Sequence, residues 1–580
     1  MRRMKGAAGL LTALLLAFQL SAQTFALANE DNGIKVVPVN FTHNGYSYEI
    51  EGVAKSTDGD YQIKSPARLA ARKLPSTYDP RSSGEITTVK DQASTGACWA
   101  FSALACAEQD LIKKGLENPS AEFSVPALVL SSNSGTATGK DDFSSGGNWL
   151  FAASALANGQ GLCYEDYEPF LESGTENMIV SENKKSVSEY RLNYVMELSS
   201  TTQVKRKIME LGAVSASYFA GNGYMNHNNT AYYDPDASKN TIINHSVTVV
   251  GWDDNYSKDN FRYKPANNGA WLVKGSWGAD QDNDGFYWVS YDEAEFGQFC
   301  CYDFEESCDN TYHYSKMTGY VVNASNDGSV YGANVFTAKA DEKLDKAGFM
   351  YVGKTGSADY TLSVYTNVSD SDPIGVLETQ ISDSVSANGF YTVDFPEDIL
   401  LEEGEKYSIS VKFSGDSGRG YLLAESDRTS KAQSGQSYVS LNGKYWSDVG
   451  ADKTDSIGSL FIYAYTDDTA KPDKSSLETT LAKYGTLAGC EREANNARMV
   501  LADENASKND ISNAQKLLIS AAEEQDEALV ITTEAQWESF AKRVSSGESF
   551  EGKLVTLEGD LDFDGKTISP VGDSENPFMG

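Results

Sequence analysis

The chain has 580 residues, with 83 acidic side chains against 48 basic ones and a formal net charge of −35. That length exceeds what one hydrophobic core spans, so several domains are expected. So acidic a surface repels phosphate backbones, which excludes nucleic acid as a partner.

Residues 1–28 read as a secretory signal. A basic start (Arg2, Arg3, Lys5) precedes an apolar run from Gly6 to about Leu20 and a small-residue site ending at Ala28. The run is shorter than a membrane-spanning helix needs, and no later stretch is long and apolar enough, so a secreted or cell-surface protein without a transmembrane span is expected. Residues 29–73 form a short polar leader ending in a basic connector, Lys64 to Lys73, accessible to a protease.

From Leu74 to Cys308 helical and strand patterns alternate. Ala100 to Lys114 is rich in alanine and leucine and predicts a helix, while Asn244–Trp252 and Ala270–Lys274 predict strands. Over 309–466 short alternating runs such as Thr361–Thr366 and Tyr407–Phe413 predict a β-sandwich-like domain. Residues 467–529 predict a helical spacer, with Leu477, Leu481, Tyr484 and Ala488 on one face and a second helix from Asp510 turning Ile511, Ala514 and Leu518 inward. Residues 530–580 read as the beginning of a further, truncated β-rich surface module. The fold class is therefore α+β.

Chemistry concentrates in Gln92-Ala-Ser-Thr-Gly-Ala-Cys98-Trp99. A cysteine attacks a carbonyl as its thiolate. Cys98 sits where a loop turns into the alanine-rich helix, whose N-terminal dipole favours negative charge. Gln92 could place its side-chain amide, with the Cys98 N–H, around a developing oxyanion. Of four histidines, His43, His227 and His313 lie in polar or turn-like contexts, and His245 opens an apolar strand. No His-Glu-x-x-His pair is present, which excludes a zincin. Cys98 and His245 are the two parts of a Cys–His nucleophile. The seven cysteines allow bridges plus a free thiol. Cys106, on the predicted helix, reads as a buried small hydrophobe.

These residues resemble the papain (C1) family of cysteine peptidases. Leu74–Arg81 resembles the start of its catalytic domain, and Val89–Gln92 and Gly96–Ser102 resemble its oxyanion and nucleophile segments. Gly146 and Gly147 resemble the glycine pair that binds extended substrate, and Tyr164–Phe170 its aromatic-Pro-aromatic segment. Asn244-His245 and Lys274-Gly-Ser-Trp277-Gly278 resemble the blocks around its base. The resemblance implies a two-part fold with the cleft between, catalytic Cys98, His245 and Gln92, Trp277 shielding the His245 side, polypeptide substrates and no cofactor.

Three departures stand out. The family's third catalytic residue, an asparagine that orients the imidazole, is Gly275 here, so a water or a neighbouring amide such as Asn267 or Asn268 must substitute, and a slower rather than a dead enzyme is expected. Asn244 is a poor substitute, since adjacent strand residues point to opposite faces. Thr95 stands where the family commonly has a cysteine. The leader is short and lacks the family's long helical pattern. Asp280, Asp282 and Asp284 before Gly285 form half of a calcium loop, but Tyr291 occupies the twelfth position, so an acidic turn is the favoured reading and no metal is expected. Gly332–Thr337, Leu401–Tyr407 and Asn442–Trp446 resemble the lectin-like domain of some bacterial members, which implies carbohydrate or cell-surface ligands for 309–466. Trp446 could stack on a sugar ring, but a core or edge aromatic is the favoured reading. The alternative reading is a surface adhesin whose papain-like domain is catalytically impaired.

Overall fold

The computed structural model describes most of residues 74–531, the strands Lys35–His43 and Tyr46–Ala54, and parts of 534–571; segments 1–34, 55–73, 133–142, 166–188 and 572–580, with several shorter ones, fall outside it. The expected signal sequence, the basic connector, Asp280 and all of Tyr164–Phe170 beyond Glu165 therefore lie outside the described residues.

Two compact units are present, one reaching Ala470 and a second from Lys471. In the first, the helix Cys98–Lys114 runs through the centre, buried from Cys98 to Leu111. Its alanines favour helix, Lys113 and Lys114 face the negative end of the dipole, and Gly115 (φ 73°) ends it by donating its N–H to Leu111 and Ile112 carbonyls. The helices Val125–Ser132 and Trp149–Ala157 pack beside it around Phe101, Leu104, Phe123 and Leu156. A second core, built on Val214, Val247, Val249, Trp252 and Val273, lies within the strand-rich half. Its strands Val214–Tyr218, His245–Asp253, Ala270–Lys274 and Phe286–Ser290 are neighbours in that order. β-branched and aromatic residues fill them, as sheet packing favours. The two halves meet where Ser102 of the central helix donates to the Val247 carbonyl at 2.7 Å.

The β-sandwich-like region is not a detached bead. Gly389–Leu401 pairs with Tyr190–Leu198 (Gly389 opposite Met196, Tyr391 opposite Tyr194), so one sheet continues from the strand-rich half into the downstream domain. A six-stranded sheet from Val376–Val385 to Ser447–Asp448 completes the sandwich, around Phe349, Leu362, Ile409 and Val411. Within the leader, Lys35–His43 pairs with Tyr46–Ala54, which pairs in turn with Ile242–Ile243.

The bridges that seven cysteines allow are not formed: all seven are buried thiols with no bridge among them. Cys106, Cys300 and Cys301 are almost wholly enclosed and pack as small apolar groups.

The second unit begins with three helices, Ser475–Tyr484, Glu491–Ala502 and Lys508–Glu527, whose shared core contains Leu477, Ala494, Ile511, Ala514 and Leu518. The middle helix was not expected from the sequence. Beyond it, where a β module was expected, parallel strands Ala528–Ile531 and Leu554–Leu557 flank the helix Glu534–Ser545. Phe540, Ala541 and Val544 give that helix its buried side.

Candidate active site

Cys98 is the first residue of the central helix, and Ala97 before it offers no side-chain cap. The first N–H groups of a helix lack intrahelical acceptors, so the Cys98 N–H is available to an incoming oxyanion. His245 opens its strand, and the next residue touches Cys98: the Ser246 N–H lies 3.4 Å from Cys98 Sγ. Both side chains are buried, at 7% and 3% exposure. Burial pushes the Cys98 thiol up, against the pull of the Ser246 and Trp99 backbone N–H groups. In this enclosed state the helix start alone does not secure a thiolate, so an imidazolium partner is needed to hold the charge. Trp277 stacks on the His245 ring at 5.5 Å and 27°.

Gln92 is held from both ends. Its Nε2 donates to the Thr95 carbonyl at 2.8 Å, and its Oε1 accepts from Ser276 Oγ at 2.6 Å. Its backbone N–H donates to the Ser276 carbonyl at 2.9 Å, and Asp91 bridges to Trp277. The amide nitrogen keeps one hydrogen uncommitted by these bonds and can offer it to a developing negative charge. Thr95 therefore contributes a carbonyl where a disulfide-forming cysteine was the family expectation.

Gly147 lies against the residue after the nucleophile. A β-carbon there would stand 2.5 Å from the Trp99 indole, so only glycine permits this approach. Asn148 then caps the helix Trp149–Ala157 by accepting from the Leu150 N–H.

Gly275 is not in the left-handed region. A β-carbon on it would meet the Gly285 carbonyl oxygen at 3.1 Å and Tyr287 Cε1 at 3.4 Å. The asparagines named as substitutes are engaged elsewhere. Asn267 bonds to Asp292 and Asn268 accepts from the Lys258 N–H, both in an exposed loop. Asn244 is turned to the backbone of Ala220. Below Gly275, Lys274 is buried and donates to Thr87 at 2.7 Å, while Thr87 donates to Glu108 of the central helix at 2.6 Å. Burial pulls the Lys274 pKa down and the Glu108 carboxylate opposes it.

His227 sits on an exposed turn, and His313 lies beside Tyr463 in the downstream domain, so neither joins the site. Asp282–Gly285 forms a short 3-10 turn, with Asp284 at φ 55°; the described residues hold no cluster of three metal-ligating side chains. Trp446 is partly buried against Tyr331, whereas its neighbour Tyr445 is 71% exposed. Sequence reasoning missed Ser246, Tyr218 and Tyr287. Ser276 was visible only as part of the Lys274–Gly278 block.

Residues 74–324 match the family described as papain family cysteine protease, and residues 311–466 the family described as lectin like domain. The chain carries a papain-family domain followed by a lectin-like domain. Among solved structures it is similar to the cysteine protease and lectin-like domains of Cwp84, a surface layer associated protein of Clostridium difficile. That match has 26% identity and a TM-score of 0.59, and covers 70% of this chain and 91% of that one. A clostridial Cwp84 structure after propeptide cleavage matches at 27% identity and a TM-score of 0.60, over 68% of this chain and 99% of that one. Curated relatives include cathepsin K of Mus musculus, 24% identical over 216 residues (37% of this chain, 59% of the cathepsin). Cathepsin L2 of Homo sapiens is 26% identical over 224 residues (38% and 62%). The chain thus spans less than two thirds of the length of either cathepsin.

Proposed function

We propose that this chain is a secreted cysteine endopeptidase that cleaves polypeptide substrates through a thioester acyl-enzyme. The observation that carries the reading is the seating of Ser246 on Cys98 Sγ at 3.4 Å, which brings the start of the His245 strand to the N-terminus of the Cys98 helix. His245 takes the thiol proton and Cys98 attacks the peptide carbonyl. The resulting oxyanion lies between the Cys98 N–H and Gln92 Nε2. Collapse of the intermediate breaks the C–N bond, and the imidazolium passes its proton to the leaving amine. Water, deprotonated by His245, then opens the thioester and returns the thiol. Gly146 and Gly147 would pair with an extended substrate backbone, and Trp277 would keep water from the imidazole. No cofactor enters any step.

The apolar N-terminal run and the similarity to a surface-layer-associated protease support secretion or a surface location, and no helix among the described residues is long and apolar enough to cross a membrane. The adhesin reading draws on Gly275 and on the long accessory region that holds the lectin-like domain. A peptidyl epoxide that labels Cys98 separates the two: labelling that requires both Cys98 and His245 supports the peptidase, and its absence from the intact protein contradicts it.

A further inference from the structure

Tyr218 faces His245 directly across the sheet. The two are register partners on the antiparallel strands Val214–Tyr218 and His245–Asp253, so their side chains share a face. Their rings are 5.9 Å apart and tilted at 59°. Tyr287, on the strand Phe286–Ser290, reaches the same place from the far side of Ala270–Lys274, where it pairs with Val273. Its ring edge fills the space beside Gly275, 3.4 Å from where a β-carbon would stand. The two phenol oxygens are 2.9 Å apart, and both side chains are buried, at 3% and 7% exposure. Two hydroxyls taken out of water beside a reacting imidazole are costly unless each satisfies the other. An aliphatic residue would fill either position without that cost.

We propose that Tyr218 and Tyr287 are the positioning residues of His245, doing by packing and a hydroxyl–hydroxyl bond what a side chain at position 275 would do by an amide. A β-carbon at 275 would touch the Tyr287 ring at 3.4 Å and crowd the Gly285 carbonyl oxygen at 3.1 Å, so a longer side chain there must pack against Tyr287. The Tyr287 hydroxyl holds Tyr218, and Tyr218 with the stacked Trp277 restricts the imidazole ring. Restricting the ring costs nothing at the moment of reaction because the strands already hold the tyrosines. The inference rests on the peptidase reading above.

The test is the rate at which iodoacetamide alkylates Cys98, followed from pH 4 to 10 on the full chain. The wild type should react well below the pH at which a simple thiol ionises, with a plateau bounded by an acid and an alkaline limb, the signature of a thiolate–imidazolium pair. Tyr218→Phe and Tyr287→Phe keep both rings and remove only the hydroxyl bond. Each should lower the plateau about tenfold and move the alkaline limb to lower pH. Gly275→Asn alone should also be slower, because its amide meets the Tyr287 ring, and Gly275→Asn with Tyr287→Val should recover the wild-type plateau. Besides Cys98 and His245, Tyr232 stands edge-on to Tyr218 at 5.1 Å, and the Glu293 charge acts on the same phenol. Both stay the same in all variants, so differences between profiles report on the pair. Phe variants with wild-type profiles, or a Gly275→Asn protein faster than wild type, overturn the positioning role and leave the peptidase reading intact. A wild type without the low-pH plateau removes both.

Discussion

Ser276 Oγ donates to Gln92 Oε1 at 2.6 Å, and that bond decides which end of the Gln92 amide points into the cleft. With the oxygen held by Ser276 and one N–H held by the Thr95 carbonyl, the remaining N–H has a fixed direction. The residue before Trp277 thus fixes the direction of an N–H, on a loop far away in sequence, that the proposed mechanism assigns to the oxyanion.

Ser276→Ala should therefore lower kcat with little effect on KM, since the amide can then turn over. We expect a loss of about tenfold, against roughly 10²–10³-fold for Gln92→Ala, which removes the donor itself. Steady-state kinetics on a peptide substrate separate the two. Equal losses would show that Ser276 does more than orient Gln92.

Gly147→Ala places a methyl group where the Trp99 indole lies. The ring must shift, and with it the start of the Cys98 helix. Overpacking of this kind costs about 1–3 kcal/mol, so both thermal stability and kcat/KM should fall. A variant with wild-type values for both would mean that Trp99 relocates freely.

Stability should increase as pH falls from about 7.5 to 5.5. Burial pushes the Asp110 carboxyl up to about 7, despite the Lys114 ammonium 2.9 Å away, and Glu293 likewise to about 7. In this window the folded chain keeps protons that the unfolded chain, ionising near its ordinary carboxylate pKa, has released. Folding is therefore favoured at the acid end and loses stability as pH rises toward 7. Relief of repulsion in a chain of net charge −35 acts in the same direction. Denaturant unfolding at the two pH values should differ by on the order of 2 kcal/mol. A reversed order would contradict these assignments.

The leader should be removed between residues 64 and 74. From Leu74 onward the chain is tied to the domain: the Pro75 carbonyl accepts from Trp252 Nε1 at 3.1 Å, and Thr77–Tyr78 pairs with Trp252 and Asp253. N-terminal sequencing of the active protein should begin near Leu74, and a start near Asn29 would contradict cleavage at the connector.

Much of this site was legible because its chemistry is local in sequence. Cys98 announces itself through the glycine before it and the alanine-rich helix after it, and Gln92 lies six residues upstream. His245 stood out as an imidazole opening an apolar strand. Tyr218 and Tyr287 gave no signal, since an aromatic in a strand reads as core. Only the register that sets Tyr218 opposite His245, and the space left by Gly275, bring them to the site. The sheet shared through Met196 and Gly389 joins segments distant in sequence, which no local pattern reports. The helix Glu491–Ala502 escaped notice because Ala494 and Ala497 are its main apolar contacts, too small to mark a face in a charged segment.

The central claim is that Cys98 and His245 form one nucleophilic unit, and covalent capture tests it most directly. A thiol-directed peptidyl epoxide should add one inhibitor mass to the intact protein, located by peptide mapping at Cys98. Both Cys98→Ala and His245→Ala should abolish that mass shift together with peptide hydrolysis. Undiminished hydrolysis by the Cys98→Ala protein, or labelling of another buried thiol in its place, would contradict the assignment.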